Sequence, residues 1–214
     1  MKRREFSLGA AGLLALPALT PALAQSRTPD EGSDYLALKQ RVPTEAGAGK
    51  VEVIEFFWYN CPHCNAFEPR LEEWIKRIPK DVVIKRVPVA FRDDFVPQQR
   101  LFYTLEAMGK LDTLHRKVFN AIHVDRQNLQ REDGIANWAA KQDLDKAKFM
   151  ELYNSFSVSN KARRATQLQN LFRVEGVPAL GIAGRYYTDA TLAGSMERAL
   201  QVTDYLIGQA RKNP

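Results

Sequence analysis

Two cysteines, the only ones in a chain of 214 residues, stand at Cys61 and Cys64 with Pro62 and His63 between them. A pair this close makes a poor structural staple, because closing so short a loop takes little entropy out of the unfolded chain. The chemistry that suits it is the making and breaking of its own bond, in which a thiolate attacks a disulfide sulfur. Half of a zinc site is the competing use. It needs further ligands, and the chain offers only His63, His115 and His123 and no second C-x-x-C pair. Neither a metal nor an organic cofactor is expected.

The residues around the pair assign it roles. Pro62 suits the first position of a helix, where its missing N–H costs nothing, and that places Cys61 at the N-cap. The unpaired N–H groups of the first turn, those of His63 and Cys64 among them, then point at the Cys61 sulfur and favour a thiolate. His63 can add a positive charge or a hydrogen bond. Cys64, one turn in, is expected to be more buried and higher in pKa, and to resolve the mixed disulfide. Glu55 interrupts the apolar run Val51 to Phe57 six residues before Cys61. It reads either as a buried acid beneath the helix, able to accept or relay the proton of Cys64, or as an outward-facing strand end. Lys85 or Arg86 on the next strand is its candidate partner. Pro178, after Gly176 and Val177, belongs at a turn or a strand start, since it cannot donate to a central ladder. Trp58 and Tyr59 read as the rim of an apolar peptide groove or as strand-end core.

The elements that must position these groups follow from periodicity. Tyr35 to Leu38 opens the ordered part, after a polar stretch from Gln25 to Gly32 expected to be disordered. Val51 to Phe57 is too apolar for a one-sided strand and fits a central one. Phe67, Leu71, Trp74, Ile75 and Ile78 then recur at helical spacing up to Pro79, and Val82 to Val87 reads as the next strand. This β-α-β order implies parallel strands and a right-handed crossover. From Phe95 to about Asn170 the texture is helical throughout, with breaks near Gly109, Asp125–Asn128 and Gln142–Asp145. Ala179 to Ala183 and Arg185 to Tyr187 suggest a hairpin turning at Gly184, and Thr191 to Lys212 a closing helix.

The first residues read as an export signal. Lys2, Arg3 and Arg4 form a basic start, Leu8 to Leu16 an apolar core, and Ala22-Leu23-Ala24 a cleavage site after Ala24. A transmembrane anchor is the competing reading, but the apolar stretch is short and broken by Pro17 and Pro21. Arg3-Arg4-Glu5-Phe6 also resembles a twin-arginine signal. Either route leads out of the cytosol, to where a dithiol can stay oxidised. Of the formal net charge of +6, the leader carries three basic residues and one acidic, which leaves +4 for residues 25–214. Those charges are interspersed, which argues against a nucleic-acid surface. With 45% hydrophobic and 26% charged residues, the composition is that of an ordinary globular chain.

A C-P-H-C sequence after an E-F-F strand, a helical stretch, and a late V-P before a hairpin resemble the thiol:disulfide interchange proteins of the DsbA type, over residues 35–212. The resemblance implies an α/β thioredoxin fold interrupted by an all-helical insertion. Its parts would be a signal peptide at 1–24, thioredoxin-like segments at 25–94 and 171–214, and the insertion at 95–170. Val177-Pro178 would be a cis-proline loop facing the cysteines, its backbone pairing with an extended peptide. Glu55 would be the family's buried acid and Glu68 a nearby charge. Asn60 departs from the aromatic or small residue expected before the first cysteine, which bears on partner contacts. The implied activity is that of a periplasmic thiol:disulfide oxidoreductase introducing disulfides into exported proteins, with Cys61, Pro62, His63, Cys64 and Glu55 as its catalytic set. Its substrates would be unfolded or reduced exported proteins, and a DsbB-like, quinone-linked membrane oxidase would reoxidise it; a monomer is expected. A reductase or isomerase using the same pair, or a peptide-binding chaperone with incidental cysteines, are the alternatives.

Overall fold

The computed structural model describes residues 27–213, so the leader at residues 1–24 lies outside the described residues. Their one sheet has five strands in the order β1-β5-β4-β2-β3. Strand β2 (Val51–Phe57) runs parallel to β3 (Val82–Pro88), and helix α1 (Pro62–Arg77) makes the crossover between them. Strand β4 (Ala179–Ile182) lies antiparallel on the other side of β2, followed by β5 (Tyr186–Asp189) and the two-residue β1 (Leu36–Ala37). Between β3 and β4 the chain is helical, through α2 (Val96–Ala107), α3 (Leu111–His123), α4 (Glu132–Ala140), α5 (Lys146–Tyr153) and α6 (Phe156–Leu171). This is the thioredoxin-type arrangement, with an α/β sheet and a helical stretch inserted ahead of the hairpin.

Every residue of β2 is buried, as an unbroken apolar run requires of a strand flanked on both sides and covered on both faces. Alternation sends Val51 and Val53 to the face covered by Phe67, Leu71 and Trp74 of α1. Ile54 and Phe56 go to the opposite face, where Phe172 and the inserted helices pack. Each large apolar side chain fully buried in this way contributes about 1.5–3 kcal/mol relative to exposure. Glu55 shares the parity of Val53 and so lies under α1.

Helix α1 carries Pro69 in its interior. A proline there removes the N–H that would bond the carbonyl four residues back, that of Asn65. Arg116 of α3 fills the gap, its Nη1 donating to the Asn65 carbonyl at 3.1 Å and to Asn65 Oδ1 at 3.2 Å. The inserted helices therefore repair a defect in the helix that carries the cysteines.

Two expectations need correction. The closing helix is in two pieces, α7 (Ala190–Ala193) and α8 (Met196–Lys212). Gly194 adopts φ +85°, and Ser195 restarts the helix as an N-cap accepting from the Arg198 N–H. A continuous apolar period across Leu192 and Met196 conceals that break. The polar segment is also tied down from Arg27 onward. The buried Asp34 carboxylate accepts from Arg27, from the Asp30 N–H and from Arg198, and Arg198 donates to the Arg27 carbonyl. Arg27 and Arg198 are thereby both engaged by one buried carboxylate.

Candidate active site

Cys61 and Cys64 are unbonded thiols, which is the reduced state of the pair. Helix α1 begins at Pro62 and Cys61 is its N-cap, in extended conformation, with Sγ accepting the Cys64 N–H at 3.4 Å. Cys61 Sγ also lies 3.3 Å from the carbonyl oxygen of Val177, whose bond to Pro178 is cis. The hairpin and the helix start thus meet at one sulfur. The hydrogen bond from the Cys64 side chain, first among the causes, brings the Cys61 pKa down to about 6. The backbone N–H groups of Cys64 and His63 and the nearness of His63 act in the same direction, while burial opposes them. Cys64 is fully enclosed, and burial, then its bond to Cys61, push its thiol well up. The two sulfurs are separated in acidity by environment alone, so one ionises at neutral pH and the other keeps its proton.

Beneath α1 the side chain of Glu55 is shut away from solvent. Parallel pairing sets Glu55 opposite Arg86, and Arg86 Nε donates to Glu55 Oε2 at 3.1 Å; Lys85, one residue earlier, points elsewhere and pairs with Glu45. Arg86 Nη2 donates to Glu68 Oε2 at 3.1 Å, and Glu68 Oε1 is 3.1 Å from His115 Nε2. Two buried carboxyl groups share one guanidinium, which cannot balance both as anions. Burial, then the charge of Glu68, hold Glu55 well above the usual carboxylate range. Glu68 is held below that range despite its burial, by His115 and then by Arg86. No donor reaches Glu55 Oε1, and the side-chain hydrogen bond between Glu55 and Glu68 further favours a proton on Glu55. Cys64 senses the Glu55 charge.

Beside the cysteines lies a cavity of about 520 Å³ lined by His63, Phe67, Gly176, Val177, Pro178 and Met196. Arg70, Asp189 and Glu197 add charged groups to its apolar walls, and a groove of this size beside the sulfur can take a stretch of polypeptide. Tyr59 is not on its rim: it is wholly buried, with rings of Phe57 and Phe119 each 5.0 Å away. Trp58 is half-buried and stacks on Phe95 at 3.9 Å.

The residues the sequence reading missed come from the inserted helices, and they hold the turn that carries the pair. His123 Nε2 donates to the Tyr59 carbonyl at 2.8 Å and Gln98 Nε2 to Asn60 Oδ1 at 2.6 Å. Arg116 holds Asn65 as described above. Asn60, the unusual residue before Cys61, is therefore matched by a partner on α2. The available signal was polar residues at inward positions of apolar helices, such as His115 beside Leu114 and Val118.

Comparison with known proteins supplies a frame for this geometry. Residues 81–201 match the family model described as DSBA-like thioredoxin domain. The thiol:disulfide interchange protein DsbA of Bordetella parapertussis is 44% identical over 207 residues, 96% of this chain and 96% of that one. That of Burkholderia cepacia is 42% identical over 201 residues, 93% of this chain and 95% of its own length. A crystal structure of Pseudomonas aeruginosa DsbA superposes with a TM-score of 0.79 at 38% identity, covering 85% of this chain and 94% of that one.

Proposed function

The chain belongs to the DSBA-like thioredoxin family, and from that premise we propose that it is a thiol:disulfide oxidoreductase that introduces disulfides into exported proteins in the periplasm. The observation that carries the reading is the inequality of the two sulfurs. Cys61 is an N-cap thiol with its pKa lowered to about 6, beside a peptide-sized groove, while Cys64 is buried behind it and high in pKa. Each unit by which the Cys61 pKa falls favours the reduced form by roughly 1.4 kcal/mol, or about 30 mV of oxidising power.

In the oxidised enzyme a substrate thiolate attacks Cys61 in the Cys61–Cys64 bond. That bond breaks, Cys64 leaves as a thiolate and takes a proton, and a mixed disulfide joins substrate to Cys61. A second substrate thiolate attacks the substrate sulfur of that bond, releasing Cys61 as a stabilised thiolate and the substrate with its new disulfide. Two electrons pass to the enzyme and two protons leave the substrate thiols. Pro62 sets the helix start and His63 adds to the field at Cys61. Glu55 supplies the proton that Cys64 takes up and regains one from the two that the substrate thiols release, the other passing to solvent, so Glu55 is protonated again in the reduced protein. Val177 and Pro178 align the incoming peptide through the backbone. Reoxidation falls to a quinone-linked, DsbB-like membrane oxidase acting on a monomer, delivered by cleavage of residues 1–24. Segments 25–94 and 171–214 form the redox domain, and 95–170 the insertion that braces it.

Incubating the oxidised protein with a reduced, unfolded test protein checks this reading: wild type forms disulfides stoichiometrically, whereas Cys61→Ser and Cys64→Ala, neither of which can hold the Cys61–Cys64 bond, form none. Undiminished oxidation by Cys61→Ser would sink the assignment. A potential against glutathione in the strongly reducing range would turn it toward a reductase.

A further inference from the structure

His115 lies in the inserted helix α3, yet both of its ring nitrogens are spent on the redox site. The imidazole sits within a cage of Phe57, Tyr59, Phe102 and Phe119, with ring centres 5.2, 5.3, 5.9 and 5.4 Å away. A phenylalanine would fill that cage as well, so packing gives no reason for a polar ring. Hydrogen bonding does. The Tyr59 hydroxyl is 2.8 Å from Nδ1 and Glu68 Oε1 is 3.1 Å from Nε2. Burial holds the Tyr59 phenol protonated and His115 neutral. The phenol therefore donates to Nδ1, which places the imidazole proton on Nε2 and aims it at Glu68.

We propose that His115 is a positioning residue of the redox site: by fixing one tautomer against Tyr59 it donates to Glu68, keeps that carboxylate paired with Arg86, and so leaves the buried proton on Glu55, next to Cys64. The balance is set by the groups that face the cluster from every side. They are Glu55 from β2, Arg86 from β3, Cys64, Glu68 and Glu72 from α1, and His115 from α3. One guanidinium serves two buried carboxyl groups, so whichever lacks a second donor holds the proton. Glu68 has the second donor in His115, whereas no donor but Arg86 reaches Glu55, whose hydrogen bond to Glu68 is made with its own proton. Removing the Nε2–H raises the proton affinity of Glu68, lowers the negative charge that Glu55 meets, and frees Arg86 to serve Glu55 more fully. All three changes make Glu55 more acidic. Arg86 and His115 also line a second groove, of about 640 Å³.

The inference rests on the proton-donor role proposed for Glu55, but its test does not require turnover. The carboxyl carbon of Glu55 is followed by NMR against pH in the reduced protein, its resonance assigned by loss in Glu55→Gln. His115→Phe is expected to move the Glu55 midpoint down by about one pH unit, a tenfold loss of proton affinity. His115→Gln, which keeps a donor for Glu68 and an acceptor for Tyr59, should stay within a few tenths of wild type. Tyr59→Phe removes only the hydroxyl that fixes the tautomer and should shift the midpoint in the same direction by less. An unmoved midpoint in folded His115→Phe or Tyr59→Phe would overturn the inference, as would a shift in His115→Gln equal to that in His115→Phe. A merely structural histidine would lower the melting temperature in all three and leave the midpoint in place. Failure of the oxidase reading would show instead in the test-protein assay, whatever this titration gave.

Discussion

At the scale of single residues the central fact is that Cys61 owes its acidity to its neighbours in a definite order. The Cys64 side chain comes first, backbone N–H groups of the first turn next, and the charge of His63 last. Reading the sequence gives His63 a visible part, because an imidazole beside a thiolate is the obvious cation. The geometry gives more to the dipoles, which cannot be mutated away, and to the buried thiol one turn on. Cys64→Ala is therefore expected to raise the Cys61 midpoint by about one unit, and His63→Ala by only a few tenths. Thiolate absorbance against pH reads both, and a larger effect from His63→Ala would reverse the order. Glu55 makes the complementary case. Its folded pKa is raised above the unfolded value, so the stability it contributes is present at low pH and is lost as pH rises through the folded pKa. Glu55→Gln keeps the acceptor for Arg86 and abolishes that loss. The variant is expected to melt higher than wild type on the alkaline side while releasing Cys64 from substrate exchange at least about tenfold more slowly. Equal melting curves at high pH would show that Glu55 is ionised without cost.

The elements divide the labour between a part that the sequence announces and a part that it conceals. Cys61, Pro62, His63 and Cys64 are contiguous, and one helix start explains them, so their arrangement could be worked out before any fold was known. The depth of Glu55 could be inferred from an acid in the middle of an apolar strand. Its partner could not: Lys85 and Arg86 are adjacent on a strand and face opposite ways, and only the register that pairs Glu55 with Arg86 decides between them. Still less legible was the contribution of α3, because His115, Arg116 and His123 meet the site across about 50 to 65 residues of chain. The break at Gly194 was hidden for the opposite reason, since a strong local period ran through it. The Pro69–Arg116 relation gives this level its own test. Arg116→Ala leaves the Asn65 carbonyl unpaired and is expected to destabilise the fold by about 1–2 kcal/mol. Pro69→Ala restores the missing helical N–H, so in that background the same arginine change should cost only a few tenths. Urea unfolding of the four proteins completes the cycle. Additive effects would mean that Arg116 acts elsewhere than on the proline gap.

For the whole molecule, the acidity of one sulfur couples the redox state to the stability of the fold. The oxidised protein has no Cys61 proton to lose. In the reduced protein the Cys61 pKa is about 6 when folded and about 8.5 when unfolded. Between those values the unfolded chain binds the extra proton, so the stability of the reduced form rises with pH, by at most about 1.4 kcal/mol for each unit. Below the folded pKa the gain is gone. Cys64 works the other way: its folded pKa is raised, so its contribution falls away only above the unfolded value. The Glu55 and Asp34 carboxyls are present in both redox states and cancel to first order. The difference in unfolding free energy, reduced minus oxidised, is thus expected to be flat under acid conditions, to climb from about pH 6 to about 8.5 as Cys61 ionises in the folded form, and to fall again beyond, where the unfolded chain loses the Cys64 proton that the folded one keeps. Denaturant unfolding of the two forms across that range measures it directly. A difference that stays constant with pH would mean that the thiolate gains nothing from folding, and the oxidising power assigned to the pair would have no source in this structure.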